Sequence, residues 1–200
     1  MRARVSESRG HTRRKTASRE QSYDRRVRAA LAEFGIRREL LHARRLPLCA
    51  EARRLVVAEI DARGREQRLV APAAAAWKRM KAAAADAGIA LHLVSAFRSF
   101  ERQCDIVRDK LAAGQSLDEI LSVSAPPGYS EHHTGRAIDI GVSPDDPLEE
   151  VFERSPAYAW LTTNAARYGY SLSYPRGNRY GYRYEPWHWL HRAGAKRDPA

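Results

Sequence analysis

The stretch from Ser130 to Gly141, SEHHTGRAIDIG, limits what this 200-residue chain can fold into more than any other. Residues 137–142 alternate as a buried strand, so that Asp139 points to one side of it. His132 stands before it with six residues between, and Gly135 lies in the gap, where the chain can turn tightly enough to bring both side chains together. A second stretch, YEPWHW from Tyr184 to Trp189, adds Glu185 and, three residues on, His188. Two histidines and one carboxylate are the ligand count of a catalytic zinc, which keeps three protein ligands and leaves the fourth position to water. Glu185 is then free to act as a base, with Pro186 stiffening the backbone between it and His188. Spacing alone leaves other pairings open. His133 can replace His132, His191 can contribute, and a His near an Asp is more often an ordinary hydrogen bond.

The chemistry such a set implies is metal-assisted amide hydrolysis, with zinc activating water and polarising the carbonyl under attack. Glu185 takes the proton of the water and returns one to the leaving nitrogen. A fixed cation is needed where negative charge gathers on the carbonyl oxygen, and Arg98, at a strand end in SAFRS, is the candidate. A lone Arg after a strand is otherwise a salt bridge or a solvated end.

With 44% apolar and 30% charged residues, the composition suits one globular domain with an appendage. No window resembles a bilayer span, and the first twenty residues hold no apolar core of the kind a signal peptide needs. As written, the chain is expected in the cytoplasm, or in the periplasm or cell envelope if its start differs or export takes another route. Cys49 and Cys104 form no metal or redox motif and read as buried thiols. The net charge of +11 is concentrated at one end. Residues 1–54 carry sixteen Lys+Arg against six Asp+Glu, whereas residues 55–200 carry nineteen against eighteen. A near-neutral body with a cationic extension argues against a fold built as a whole to bind nucleic acid.

In chain order, residues 1–21 are too polar to order themselves and are expected to form a disordered basic arm. Residues 22–54 are expected to form an Arg-rich helical extension, two short helices broken at Gly35, which either docks on the body or meets an anionic surface of lipid, wall polymer or nucleic acid. The body spans residues 55–192. It begins with a hairpin over 55–70, followed by an alanine-rich helix opened by Pro72, a strand over 89–95, and a helix over 100–114. A shorter helix capped by Ser116 precedes the first metal stretch; a helix over 155–168 and two strands, 170–174 and 182–189, follow it. Residues 193–200 are a polar tail. Clustered strands with helices between them, and no regular alternation, point to an α+β fold with a mainly antiparallel central sheet.

SEHHTGRAID followed by YEPWH, with SAFRSFERQ upstream, resembles the VanY-type D-alanyl-D-alanine carboxypeptidase and dipeptidase family of zinc peptidases over about residues 55–190. The pattern SxHxxGxAxD is met at Ser130, His132, Gly135, Ala137 and Asp139, and EPWH at Glu185–His188. The resemblance implies a hedgehog/DD-peptidase-like fold. It assigns His132, Asp139 and His188 to Zn2+, preferring His132 to His133, with Glu185 as base and Arg98 at the carbonyl oxygen. It also puts Ser130 and Gln103 in contact with substrate, a peptidoglycan stem peptide ending in D-Ala-D-Ala. After EPWH the chain continues Trp189-Leu190-His191-Arg192 instead of the family's aromatic-Arg-Tyr, so carboxypeptidase, dipeptidase and endopeptidase stay open. A non-catalytic zinc-binding module of the hedgehog type is the alternative, against which Glu185 and Arg98 weigh.

Overall fold

The computed structural model describes residues 6–61 and 63–192, with side chains from residue 20 onward; the expected polar tail, 193–200, lies outside the described residues. A four-stranded antiparallel sheet forms the centre, in the order β3 (His92–Ser95), β4 (Ala137–Gly141), β6 (His188–His191) and β5 (Tyr170–Leu172). A separate antiparallel hairpin pairs β1 (Val56–Ile60) with β2 (Glu66–Leu69). The α+β expectation holds.

Alternation along β4 explains why the sheet has two unlike faces. Ile138 and Ile140 enter the main core with Leu93, Trp189 and Tyr170, where α3 (Ala71–Asp86) and α6 (Pro156–Asn164) cover the sheet. Asp139, one residue out of step, points the other way. The helices start where local chemistry lets them. Pro72 opens α3, Ser99 accepts the Arg102 N–H to cap α4 (Phe100–Ala112), and Ser116 with Glu119 closes a reciprocal capping box on α5 (Leu117–Val123).

Three departures from the sequence reading, and one choice between its alternatives, have physical causes. First, α1 runs unbroken from Ser6 to Glu33, so the backbone is helical where a disordered arm was expected up to residue 21. The docked half of α1 supplies the costly nucleus, and Arg, Lys, Glu and Gln are good enough helix formers to propagate from it. Second, of the two alternatives for the extension, docking is the one met: it shares a core with the body. Val27, Ala30, Leu31 and Phe34 of α1, with Ile36 and with Leu41 of α2 (Arg38–Ala43), pack on Phe100, Cys104, Val107, Ile120 and Leu121 of α4 and α5. Third, the helix after Ser155 loosens into a 3-10 turn over Ala165–Tyr168 before Gly169. Fourth, residues 182–187 form no strand. Arg183 N–H donates to Ser122 O, Glu185 N–H to Tyr174 O, and Pro186 has no N–H to give. Pairing therefore begins only at His188.

Cys49 and Cys104 are buried free thiols. Among the described residues no helix is long and apolar enough to cross a membrane.

Candidate metal and catalytic site

Three strands bring the site together. Asp139 sits on the inner strand β4, opposite Ser95 of β3 and opposite His188 of β6, the first residue of its strand. His132 arrives from the 3-10 turn Glu131–Thr134, which ends on Gly135 in the left-handed region at φ +63°. A Cβ at Gly135 would lie 2.8 Å from Leu55 and 3.2 Å from the Val70 nitrogen, so both conformation and space require glycine there. That tight return carries the chain from His132 into β4 with His132 and Asp139 on the same side.

Donor atoms of His132, Asp139 and His188 all lie within 4.8 Å of one another, and all three residues are buried. The hydrogen bonds fix which ring nitrogen faces the common point. His132 Nδ1–H donates to Ala96 O at 2.6 Å, leaving Nε2 directed at Asp139 Oδ2, 3.2 Å away. His188 Nε2–H donates to Glu131 Oε2 at 3.0 Å, leaving Nδ1 beside Asp139 Oδ1 at 2.9 Å. Each imidazole thus has an outer partner and turns its other nitrogen to Asp139. Against its burial, the two carboxylates push His188 up to about 10, so a metal ion here would take the place of a proton on Nδ1.

His133 is arranged differently. Its Nδ1–H donates to Arg98 O at 2.7 Å, and its Nε2 accepts the Gly128 N–H at 3.2 Å. Both nitrogens are spent on backbone, and burial holds the group neutral by pushing its pKa down to about 4. His191 lies on the opposite face of β6, packed edge-on against Tyr170.

Electrostatics also favours a cation. Burial raises the Asp139 carboxyl but is outweighed by His132 and His188, which hold it well below the usual range. Burial likewise opposes ionisation of Glu131, yet its bond to His188 keeps it low. Glu185, with Oε2 4.0 Å from His188 Nδ1, is pushed up to about 7, first by burial and then by Asp139 and Glu131, against His188 and Arg98. Asp139 and Glu131 stay ionised although buried, and a divalent cation at the imidazoles would offset that charge. The residues present therefore fit a zinc ion by donor type, tautomer and charge.

A cavity of about 360 Å³ opens onto this group, lined by Arg98, Ser130, Glu185, Trp187 and Tyr174 among others. Gln103 is not on its wall. It is fully buried, accepting from Arg98 Nη1 at 3.1 Å and donating to Ala125 O at 2.7 Å, so it stands behind Arg98. On α4 it belongs to the buried stripe with Phe100, Cys104 and Val107, while Ile106, one turn on, reaches the cavity wall at the edge of that stripe. Two residues escaped the sequence reading. Glu131 is the outer partner of His188, and the available signal was an acid directly before His132. Tyr174 stacks on the His188 ring at 4.6 Å and 19°, a contact that no spacing could have revealed.

The model of the family described as VanY, D-alanyl-D-alanine carboxypeptidase, matches residues 66–194. The chain belongs to this family. YodJ of Bacillus subtilis is 36% identical over 119 residues, covering 58% of this chain and 43% of that protein. The chain thus spans less than half the length of this curated relative. Among solved structures, the LdcB LD-carboxypeptidase superposes with a TM-score of 0.64 at 31% identity, covering 76% of this chain and 72% of that one. VanYB in complex with D-alanine-D-alanine superposes with a TM-score of 0.55 at 26% identity, covering 72% and 81%. The family match begins at residue 66, so the extension lies outside it although it shares the core of the body.

Proposed function

We propose that this member of the VanY family is a zinc-dependent D-alanyl-D-alanine carboxypeptidase that removes the terminal D-Ala from peptidoglycan stem peptides or their precursors. The observation that carries the reading is the convergence of His132, Asp139 and His188 beside a buried Glu185 in one cavity. His132, Asp139 and His188 hold the metal, which when bound supplies Lewis-acid polarisation of the scissile carbonyl and a water of lowered pKa. Glu185 takes a proton from the attacking water and delivers it to the leaving amide nitrogen, a role suited to a group poised near neutrality. The Arg98 guanidinium, held by Gln103, donates to the carbonyl oxygen as charge develops there. Ser130, on the cavity wall, orients the substrate.

In this reading residues 55–192 form the catalytic body, 22–54 a helical extension that braces it, and 1–21 a basic arm free to meet an anionic surface. Mature stem peptides lie outside the cytoplasm and their precursors inside it, so the chemistry serves in either compartment.

Similarity to an LD-carboxypeptidase supports a second reading, cleavage of D-Ala from an L-configured centre. One experiment tests both. Purified protein is analysed for metal and assayed for D-Ala release from a D-Ala-D-Ala pentapeptide and from the tetrapeptide ending in one D-Ala. About one zinc per chain is expected, with release from the pentapeptide and its loss in Glu185→Ala while zinc is kept. Release from the tetrapeptide alone favours the L,D reading. Stoichiometric zinc with no turnover of either peptide would support the non-catalytic module, and full activity in Glu185→Ala would remove the mechanism.

A further inference from the structure

Along α4, Arg102, Ile106 and Lys110 follow at intervals of four, so they form a row on one helix face about 12 Å long. Ile106 and Lys110 line the cavity that holds Glu185 and His188. Arg102 and Ile106 line a neighbouring open groove, which also shares Arg98 with that cavity. Cavity and groove therefore adjoin at Arg98 and Ile106, with α4 lining both.

The cations that line the cavity and the adjoining groove are not equivalent. Arg102 lies 3.7 Å from Asp109, Arg65 of the groove is bonded to Asp61 at 2.8 Å, and Arg98 is held by Gln103. Lys110 is half-buried, has no ion-pair partner among the described residues, and shares the cavity wall with Ile106, Val123 and Ala125. An ammonium beside apolar walls attracts an anion more strongly than one in open water. Glu185 and Asp139, the acids of the same cavity, belong to the metal and proton chemistry. The anion that Lys110 can take must come from the ligand.

Resting on the carboxypeptidase reading above, we propose that Lys110 is a specificity-determining residue that binds a carboxylate of the substrate peptide. That carboxylate is either the free C-terminus or an acidic side chain upstream of the scissile bond. Last-turn lysines also favour helix C-termini through the dipole, so the test must separate binding from helix stability.

The full chain and its Lys110→Met and Lys110→Arg variants are compared on pentapeptides ending in D-Ala-D-Ala. The third residue carries either a side-chain carboxylate or its carboxamide, and each peptide is made with a free or an amidated C-terminus. Lys110→Met is expected to raise KM about 10-fold on the peptide bearing the recognised carboxylate, with kcat, melting temperature and zinc content near wild type. Lys110→Arg should restore most of the loss. If the penalty vanishes with the side-chain carboxamide, the side chain is the source; if it vanishes with the C-terminal amide, the terminus is. Equal KM for Lys110→Met and wild type on every peptide overturns the proposal. Should the wild type turn over none of them, the carboxypeptidase reading fails separately. Calorimetric Kd values for the same peptides then decide, with weaker binding by Lys110→Met supporting carboxylate recognition and equal binding ending it.

Discussion

Two neighbours of His132 divide the work of the first metal stretch. Glu131 holds His188 through Nε2 and so aims its Nδ1 inward. Replacing it with alanine leaves that N–H unpaired in a buried site and frees the ring to turn, so Glu131→Ala should weaken zinc binding about 10- to 100-fold. Competition with a chromophoric chelator measures this, and an unchanged affinity would deny Glu131 any role in orienting the ligand. His133 instead braces the backbone, and its effect depends on pH. Its folded pKa, about 4, lies below the ordinary value of 6.5, so protons favour the unfolded chain between those limits. The stabilisation is complete above pH 6.5 and is lost as pH falls toward 4, by about 3 kcal/mol in all. Urea unfolding of metal-free wild type and His133→Asn should give a stability gap that narrows from pH 7 to pH 4. A gap that stays constant over that range would show that His133 is not held neutral by the fold.

At the scale of elements, α1 and α2 share a core with the body. Leu31 is buried between α1 and the α4–α5 pair, and Arg44, just past α2, donates to Leu121 O at 2.8 Å and to Tyr180 O while its guanidinium lies 4.4 Å over the Tyr182 ring. Tyr182 in turn lines the cavity, which connects the extension to the site wall. Leu31→Ala should therefore cost about 2–5 kcal/mol and lower the melting temperature by several degrees. Calorimetry reads the shift, and a change within about 0.5 kcal/mol would mean that α1 rests on the body without sharing its core. Most elements could be placed from sequence because their boundaries are local. Pro72, Ser99, Ser116 and Pro156 act on their own turns, and β4 alternates by itself. Failures came where the deciding partner is distant. Residues 182–187 have strand-like composition, but their donors turn to Ser122 and Tyr174.

For the whole molecule, charge and packing divide the chain at different points. Residues 1–54 carry nearly all the net charge, yet described packing already begins at Tyr23, whose hydroxyl donates to Cys49 O at 2.8 Å. A truncation meant to test surface binding must stop short of that. Residues 1–20 hold seven Lys+Arg against two Asp+Glu, a balance of +5. Their deletion should leave the melting temperature nearly unchanged while reducing the salt needed to elute the protein from heparin or anionic vesicles. Elution at the same salt would move the anionic contact to the remaining Arg-rich faces.

The sequence by itself determined the ingredients: which residue types can ligate a metal, the strand that carries Asp139, the turn that needs Gly135, and the segregation of charge. Those follow from side-chain chemistry and from periodicities of one or two turns. Tertiary structure alone decided how the ingredients are used. His132 and His133 are adjacent and chemically identical; only the carbonyls of Ala96 and Arg98, brought in from β3's end, give one an inward lone pair and spend both nitrogens of the other. Gln103 and Lys110 lie two turns apart on one face of α4, and only their tertiary neighbours bury the first behind Arg98 and leave the second on the cavity wall. A site of this kind is made from contacts across dozens of residues, and those depend on the packing of the whole chain.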